Sequence, residues 1–387
     1  MTSTTVDLMP SEPSAPRDLS GTAAGAALDS AAEVRVEWAP AWLTPEWLSG
    51  VIGSEVTGFS VDRIGDGLVG MNLRLQPAYA NGSAEHSAAQ PGSLVVKLPS
   101  PDPISKMTGV ALRNYEREVF FYRDLACTVD IRVAACHHTD WDATTGDFVL
   151  VLEDLAPGAQ GDQLTGCSVD QARTAVVELA KLHGPRWGDP SLHDLEWLNR
   201  RAGPDDTARL VEFWAMFMPG FMTTYARHLS AESIDLIERF SPRLGDWADG
   251  HDEPFTVTHG DYRLDNLMFA TTSGGYPVAA VDWQTPGHGA ALGDVSYFMG
   301  AGLLPPERRE VERELLDEYT LALSAYGVAI DSADLWHQYR RDAFSGVVMA
   351  VLASQIVGAS ERSEALFSTM AIRHTQHALD LDSLDVV

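Results

Sequence analysis

The stretch Val257-Thr-His-Gly-Asp-Tyr-Arg-Leu-Asp-Asn-Leu-Met-Phe269, with Val278-Ala-Ala-Val-Asp-Trp283 a few residues on, carries most of the chemistry legible in this chain. Asp261 is followed five residues later by Asn266 and a short apolar run. A turn signal, Thr272-Ser-Gly-Gly275, separates it from a second apolar run ending at Asp282. Two strands joined at that turn form a hairpin, centred near residue 274, that returns Asp282 to the side of Asn266. Asn266 and Asp282 then make a small cage of oxygen ligands beside a second carboxylate, Asp261. Oxygen-only donors suit Mg²⁺ held together with a nucleotide phosphate.

Working outward, a chain of 387 residues is long enough for two lobes around a sizeable core. The formal net charge of −28 argues against a nucleic-acid partner, which needs a basic surface. A solvated acidic surface explains the charge, and a cationic substrate is compatible with it. Cys127, Cys136 and Cys167 form no C-x-x-C pair, so neither a disulfide framework nor a zinc site is expected, and a reducing cytoplasm fits. No signal peptide is read at the N-terminus, and the longest apolar stretch, Gly346–Ala353, is too short to span a bilayer; no membrane partner is expected.

Upstream, residues 1–35 are rich in Ser, Thr, Ala, Pro and Gly and read as a disordered arm. Thr44-Pro-Glu-Trp-Leu-Ser49 reads as a short helix with Thr44 as N-cap and Pro45 at N1. Val56 to Leu75 reads as two strands around Gly65-Asp-Gly-Leu-Val-Gly70, which fits G-x-G-x-x-G. Because strand alternation rather than a helix follows Gly70, the loop belongs between two strands over a ligand. A third strand, Ser93–Leu98, carries Lys97 at the end of its apolar run. The segment Leu112–Leu125 reads as a helix whose buried stripe is Ala111, Tyr115, Glu118, Tyr122 and Leu125. A carboxylate on that stripe wants a cation, and Lys97 is the expected partner of Glu118. Glu116 faces Arg113 and Arg123 and reads as a solvated flank.

A buried strand, Phe148–Leu152, runs into Glu153-Asp-Leu-Ala-Pro-Gly158, where the change to Pro and Gly marks a lobe boundary. That connector could present backbone groups at Glu153 and Leu155 to an adenine edge. Beyond it the sequence is helical. Ser168-Val-Asp-Gln171 is a capping box opening a helix to His183, itself read as a core histidine. Further helices are expected over roughly 305–326, 332–358 and 361–380.

The order Gly65/Gly67/Gly70, Lys97, Glu118, Glu153, His259-Gly-Asp261, Asn266, Asp282 resembles the protein-kinase-like superfamily in its aminoglycoside phosphotransferase and choline kinase branch. The H-G-D-x-x-x-x-N motif, with Gly where protein kinases carry Arg, marks that branch. Glu118-Val-Phe-Phe-Tyr122, Leu150-Val-Leu-Glu-Asp-Leu155, Gly161-Asp-Gln163 and Leu179-Ala-Lys-Leu-His-Gly-Pro-Arg-Trp187 look more narrowly like the ecdysteroid-kinase-like (CHK-type) family.

The resemblance implies an α+β, two-lobed protein-kinase-like fold. Residues 36–154 would form a small N-terminal lobe, an antiparallel sheet with one main helix, and 155–387 a larger, mostly helical C-terminal lobe. It implies an enzyme that uses ATP and Mg²⁺ to phosphorylate a hydroxyl of a small organic acceptor, whether a steroid-like alcohol, an aminoglycoside or an amino alcohol. The alternative is a catalytically silent nucleotide-binding protein on the same fold. Asp261 would accept the hydroxyl proton, Asn266 and Asp282 would hold Mg²⁺, and Lys97, fixed by Glu118, would contact the phosphates. Gly65, Gly67, Gly70, Glu153 and Leu155 would complete the nucleotide site. Asp294 would brace the catalytic loop. The chain has Asp282-Trp-Gln284 in place of D-F-G and no A-P-E motif, so a peptide substrate is not expected.

Overall fold

The structure, a computed structural model, describes residues 39–65, 69–80, 90–198 and 204–387. The expected N-terminal arm and Gly67 lie outside the described residues.

The N-terminal lobe is built on a five-stranded antiparallel sheet. Its strands are β1 (Val56–Ile64), β2 (Gly70–Tyr79), β3 (Leu94–Pro99), β4 (Cys136–Trp141) and β5 (Phe148–Glu153), in the order β1-β2-β3-β5-β4. One face alternates apolar residues, Met71, Leu73 and Leu75 on β2 with Leu94, Val96 and Leu98 on β3, and these bury against helix α1 (Pro45–Ile52). That helix starts where the sequence says it should, with Thr44 Oγ1 accepting the Trp47 N–H and Pro45 in the first turn. On the opposite face, Asn72 and Lys97 sit in register across β2 and β3. β4 was not legible in the sequence, because its residues Cys-His-His-Thr-Asp-Trp form a half-exposed edge strand without apolar alternation.

The helix expected over Leu112–Leu125 is broken. A separate helix α2 (Pro103–Ala111) ends before Arg113, which adopts a left-handed φ of 57°; α3 (Asn114–Phe120) follows and widens into a π turn over Phe121–Leu125. Tyr115, Glu118, Tyr122 and Leu125 are buried as the stripe requires, whereas Ala111, across the break, is exposed. The polypeptide then leaves the sheet through the short strand β6 (Ala159–Gln160).

The rest is mostly helical. Helix α4 (Val169–His183) opens on the Ser168–Gln171 capping box, and α5 (Pro204–Tyr225), α6 (Ala231–Phe240) and α7 (Leu244–Asp249) follow. Strand β7 (Thr256–Thr258) leads into the His259–Asn266 loop. The hairpin β8 (Leu267–Thr271) and β9 (Gly274–Ala280) comes next, then β10 (Gly287–Gly289), which pairs with β7. Helices α8 (Ala291–Gly302), α9 (Pro305–Ser324), α10 (Ser332–Asp342), α11 (Phe344–Ile356) and α12 (Glu361–Asp380) close the chain. The single helix expected over 332–358 is therefore two, interrupted at Ala343.

The larger core is continuous from α3 into the helical part, where the Phe121 ring stacks on Trp283 with centroids 3.7 Å apart and planes 4° from parallel. His183 is fully buried, with Nδ1 2.8 Å from the Tyr319 hydroxyl, as expected of a core histidine. All three cysteines are free, and among the described residues no helix is long and apolar enough to cross a membrane.

Candidate active site

The His259–Asn266 loop, the expected catalytic loop, begins where β7 ends. Gly260 adopts φ 76°, and a Cβ there would fall 2.3 Å from the Thr285 carbonyl oxygen, so both conformation and space demand glycine. Asp294, in the first turn of α8, accepts hydrogen bonds from the backbone N–H groups of His259 (2.6 Å) and Gly260 (2.9 Å). It also faces His183 Nε2 at 3.4 Å. Burial works against its charge, yet the hydrogen bond with His183 and the one from the His259 backbone N–H help hold its carboxyl below the ordinary value. Asp294 thus fixes the loop backbone from behind.

Asp261 is held by its side chain. Asn266 Nδ2 donates to Asp261 Oδ2 at 2.9 Å and to the Asp261 carbonyl at 2.9 Å. Arg263 Nε donates to Oδ2 at 3.2 Å, and the Tyr297 hydroxyl donates to Oδ1 at 2.8 Å. The Arg263 guanidinium is largely buried, but Asp261, Tyr297 and Asp265 outweigh that burial and raise its pKa. Asp265 in turn accepts the Gln163 N–H at 2.9 Å, and Gln163 Oε1 accepts the Leu264 N–H at 2.9 Å. The loop after β6 therefore packs on the His259–Asn266 loop and braces it through Gln163.

The hairpin closes as expected but one residue out of step. Leu267 pairs with Ala280 and the Val281 N–H donates to the Asn266 carbonyl at 2.9 Å, so Asn266 lies opposite Val281 and Asp282 follows directly. The register shifts between Phe269 and Thr271, which tightens the loop to Thr272–Ser273. Asp282 then takes a left-handed φ of 66°, and the Trp283 ring is clamped between Phe121 and His259, the latter with ring centroids 4.5 Å away. Trp283 is completely buried and anchors the residue before it.

Lys97 reaches this point from β3. Its ammonium donates to Glu118 Oε1 and, at 3.0 Å, to Asp282 Oδ1. Burial opposes the charge on Lys97, but Asp282 and Glu118 together raise its pKa. For Glu118, fully buried, desolvation exceeds the pull of Lys97 and the carboxyl sits above its ordinary value. For Asp282 burial again opposes the charge, but Lys97, His259 and Arg263 hold it low. Its side chain is 38% exposed, against 0% for Glu118. Glu116, the competitor, forms a surface pair with Arg113, Oε2 to Nε 2.6 Å.

The donor set suits a hard divalent cation. Asn266 spends its Nδ2 on Asp261, so the atom it could offer a cation is its amide oxygen, and Asp282 stays partly open beyond its contact with Lys97. Asn266 and Asp282 could supply two oxygen donors to such an ion, with phosphate oxygens and water left to complete its shell, as suits Mg²⁺.

The remaining expected residues are placed as follows. Gly65 ends β1 with φ 68°, and Gly70 opens β2 where a Cβ would come 3.3 Å from the Leu98 carbonyl. Glu153 is engaged through its side chain, accepting from Arg132 Nη2, from the Ala135 N–H (2.9 Å) and from the Tyr276 hydroxyl (3.0 Å). Its own N–H donates to the Ala135 carbonyl, and Leu155 is buried. Neighbouring Asp154 forms a fork with Arg74 of β2, 2.7 and 3.1 Å. Arg263, Gln163 and Tyr297 were missed by reading the sequence. Tyr297 follows Asp294 by three residues, a spacing that puts both on one helix face, and that was the available signal.

Residues 85–336 match the model of a phosphotransferase enzyme family. No curated protein matches the sequence. Among solved structures, an ethanolamine kinase of Plasmodium vivax is similar with a TM-score of 0.51 at 8% identity, covering 86% of this chain and 85% of its own. This likeness shows a shared fold. A putative aminoglycoside phosphotransferase of Ralstonia eutropha JMP134 is 19% identical with a TM-score of 0.49, covering 87% of this chain and 98% of its own.

Proposed function

Because the chain belongs to the phosphotransferase enzyme family, we propose that it transfers the γ-phosphoryl group of ATP to a hydroxyl of a small organic molecule. One observation carries this reading: two carboxylates with different partners flank Asn266, whose side chain bonds Asp261 and whose carbonyl accepts the N–H of Val281, the residue before Asp282. Asp282 is paired with the buried Lys97, and Asp261 is held apart from it by Asn266, Arg263 and Tyr297. A phosphoryl transfer needs this division, one carboxylate for the metal and one for the attacking hydroxyl.

In this reading Lys97 contacts the α- and β-phosphates, with Glu118 fixing its direction. Asn266 and Asp282 hold Mg²⁺, which supplies charge neutralisation on the phosphate oxygens. Gly65 and Gly70 would flank the phosphate site, and the connector at Glu153 and Leu155 would meet the base. Asp261 orients the acceptor hydroxyl and takes its proton as the oxygen bonds to phosphorus and the bond to the ADP oxygen breaks. The strings shared with ecdysteroid-kinase-like proteins favour a steroid-like alcohol as acceptor, and the −28 charge of the chain keeps amine-bearing alcohols in view.

The test is ADP release from Mg·ATP across a panel of sterols, amino alcohols, sugars and aminoglycosides. Asp261→Asn should lower acceptor-dependent turnover by about 10²–10⁴-fold while nucleotide affinity stays the same. Turnover that survives Asp261→Asn, or a wild-type protein that binds nucleotide and transfers to nothing, would count against the proposal.

A further inference from the structure

An ionised carboxylate offers about four acceptor positions, and at Asp261 three of them are engaged by protein donors. Oδ2 takes two, Asn266 Nδ2 at 2.9 Å and Arg263 Nε at 3.2 Å. Oδ1 takes one, the Tyr297 hydroxyl at 2.8 Å. The acceptor position with no donor among the described residues therefore belongs to Oδ1, beside the phenol. Asn266 and Arg263 stand on the same loop as Asp261 and would move with it. Tyr297 belongs to α8, which also grips the loop backbone through Asp294 one turn earlier.

We propose that Tyr297 is a positioning residue for the transfer step, holding Asp261 Oδ1 in the one direction from which it can receive the acceptor hydroxyl. The proposal rests on the phosphotransfer reading above and adds to it the oxygen that does the work and the helix that aims it.

The surroundings of Tyr297 are built for that purpose. Its ring is nearly inaccessible to solvent and lies parallel to the His374 ring, with centroids 5.2 Å apart and planes 4° from parallel. His374 is completely buried, and neither ring nitrogen has a hydrogen-bond partner among the described residues. Burial pushes its pKa well below the ordinary histidine value, so the ring is neutral and does not compete with Asp261 as a charge. Two glycines make the room it occupies. A Cβ on Gly300 of α8 or Gly346 of α11 would fall 2.7 Å or 2.0 Å from His374 Nδ1. A ring with no polar bonds, clamped between two helices and a tyrosine, can only act by its shape. It prevents the phenol from swinging away from Asp261.

Tyr297→Phe keeps the ring and its stack and removes one hydrogen bond. With the full chain at saturating Mg·ATP and water as the acceptor, basal ADP release should fall about ten- to a hundredfold. The affinity for Mg·ADP, read by calorimetry, should stay within about twofold, because no nucleotide contact changes. A variant that turns over as fast as an active wild type would overturn the role of Tyr297. A wild type whose ADP release does not exceed that of Asp261→Asn with water or with any alcohol of the panel above would instead refute the phosphotransfer reading, and Tyr297's role with it.

A second measurement does not depend on activity. The Tyr297 hydroxyl proton, carried on a buried phenol and bonded to the Asp261 carboxylate, should give a slowly exchanging downfield proton resonance that disappears in Asp261→Asn. Its persistence in that variant, or its absence from the wild type, would overturn the assignment even if Tyr297→Phe did not fold.

Discussion

Lys97→Met removes the cation that keeps Glu118 tolerable in the interior. Glu118 is 0% exposed at its side chain, Oε1 is bonded to Lys97, and Oε2 has no hydrogen-bond partner among the described residues. Breaking a buried pair by deleting one partner costs about 3–5 kcal/mol, because the surviving charge is left uncompensated. That is the expected loss at pH 8, read from urea midpoints at unchanged m-value. The loss should depend on pH with a definite sign. Burial already holds the Glu118 carboxyl above its ordinary 4.5, and without Lys97 it rises further. Above pH 4.5 the folded variant then binds more protons than the unfolded chain, so stability falls as pH rises through that window. The deficit against wild type should be largest at pH 8 and shrink toward pH 5. The double variant Lys97→Met, Glu118→Leu should recover most of the stability, since no buried charge remains and Asp282 is open enough to stay hydrated. Neither variant should turn over ATP. A single variant as stable as wild type at pH 8, or a double variant no better than the single, would refute the reasoning.

Two other perturbations follow from the loop and its backing. Asp294→Asn leaves one oxygen where two backbone N–H groups now donate, and should cost about 1–3 kcal/mol along with most of the turnover. Because the Asp294 carboxyl is held below its ordinary 3.8, its stabilisation is present above that pH and lost as pH falls through the lower folded value. The acid-unfolding limb below about pH 4 should therefore flatten in Asp294→Asn, and an unchanged limb would count against the assignment. Gly346→Ala, on a helix that contributes no expected site residue, places a methyl group 2.0 Å from His374 Nδ1. It should drive that ring toward Tyr297 and lower turnover with nucleotide affinity preserved; equal turnover in both proteins would show that the ring can move aside.

Reading the sequence located the parts of the site whose residue types are unusual for their surroundings. Glu118 stood out because a carboxylate on an apolar helix stripe requires a cation, and Asn266 and Asp282 because a glycine turn folds their two runs together. The register of that hairpin was not legible, since the shift between Phe269 and Thr271 depends on how the backbone fits and leaves no compositional mark. Helix α2 escaped notice because Ile104, Met107 and Val110 are exposed, so no buried stripe announces it. Tyr297 was hidden for the opposite reason. It sits in α8, where apolar neighbours on all sides make a tyrosine look like ordinary packing. The fork between Arg74 and Asp154 joins residues eighty positions apart, and only the folded chain brings them together.

The φ of 66° at Asp282 has an evolutionary consequence. Few residues adopt that conformation cheaply: glycine, then asparagine and aspartate, whose short polar side chains tolerate it. The alternatives that the backbone accepts most readily are thus the two that carry no charge, and each is a single nucleotide change from an aspartate codon. Drift at this codon leads first to descendants that still fold, still carry Lys97 and Glu118 as a pair, and have lost the carboxylate beside them. With Asp282 holding the metal as proposed above, a lineage could in this way shed its chemistry in one step while keeping its architecture, and residue 282 is where such a lineage would first show it.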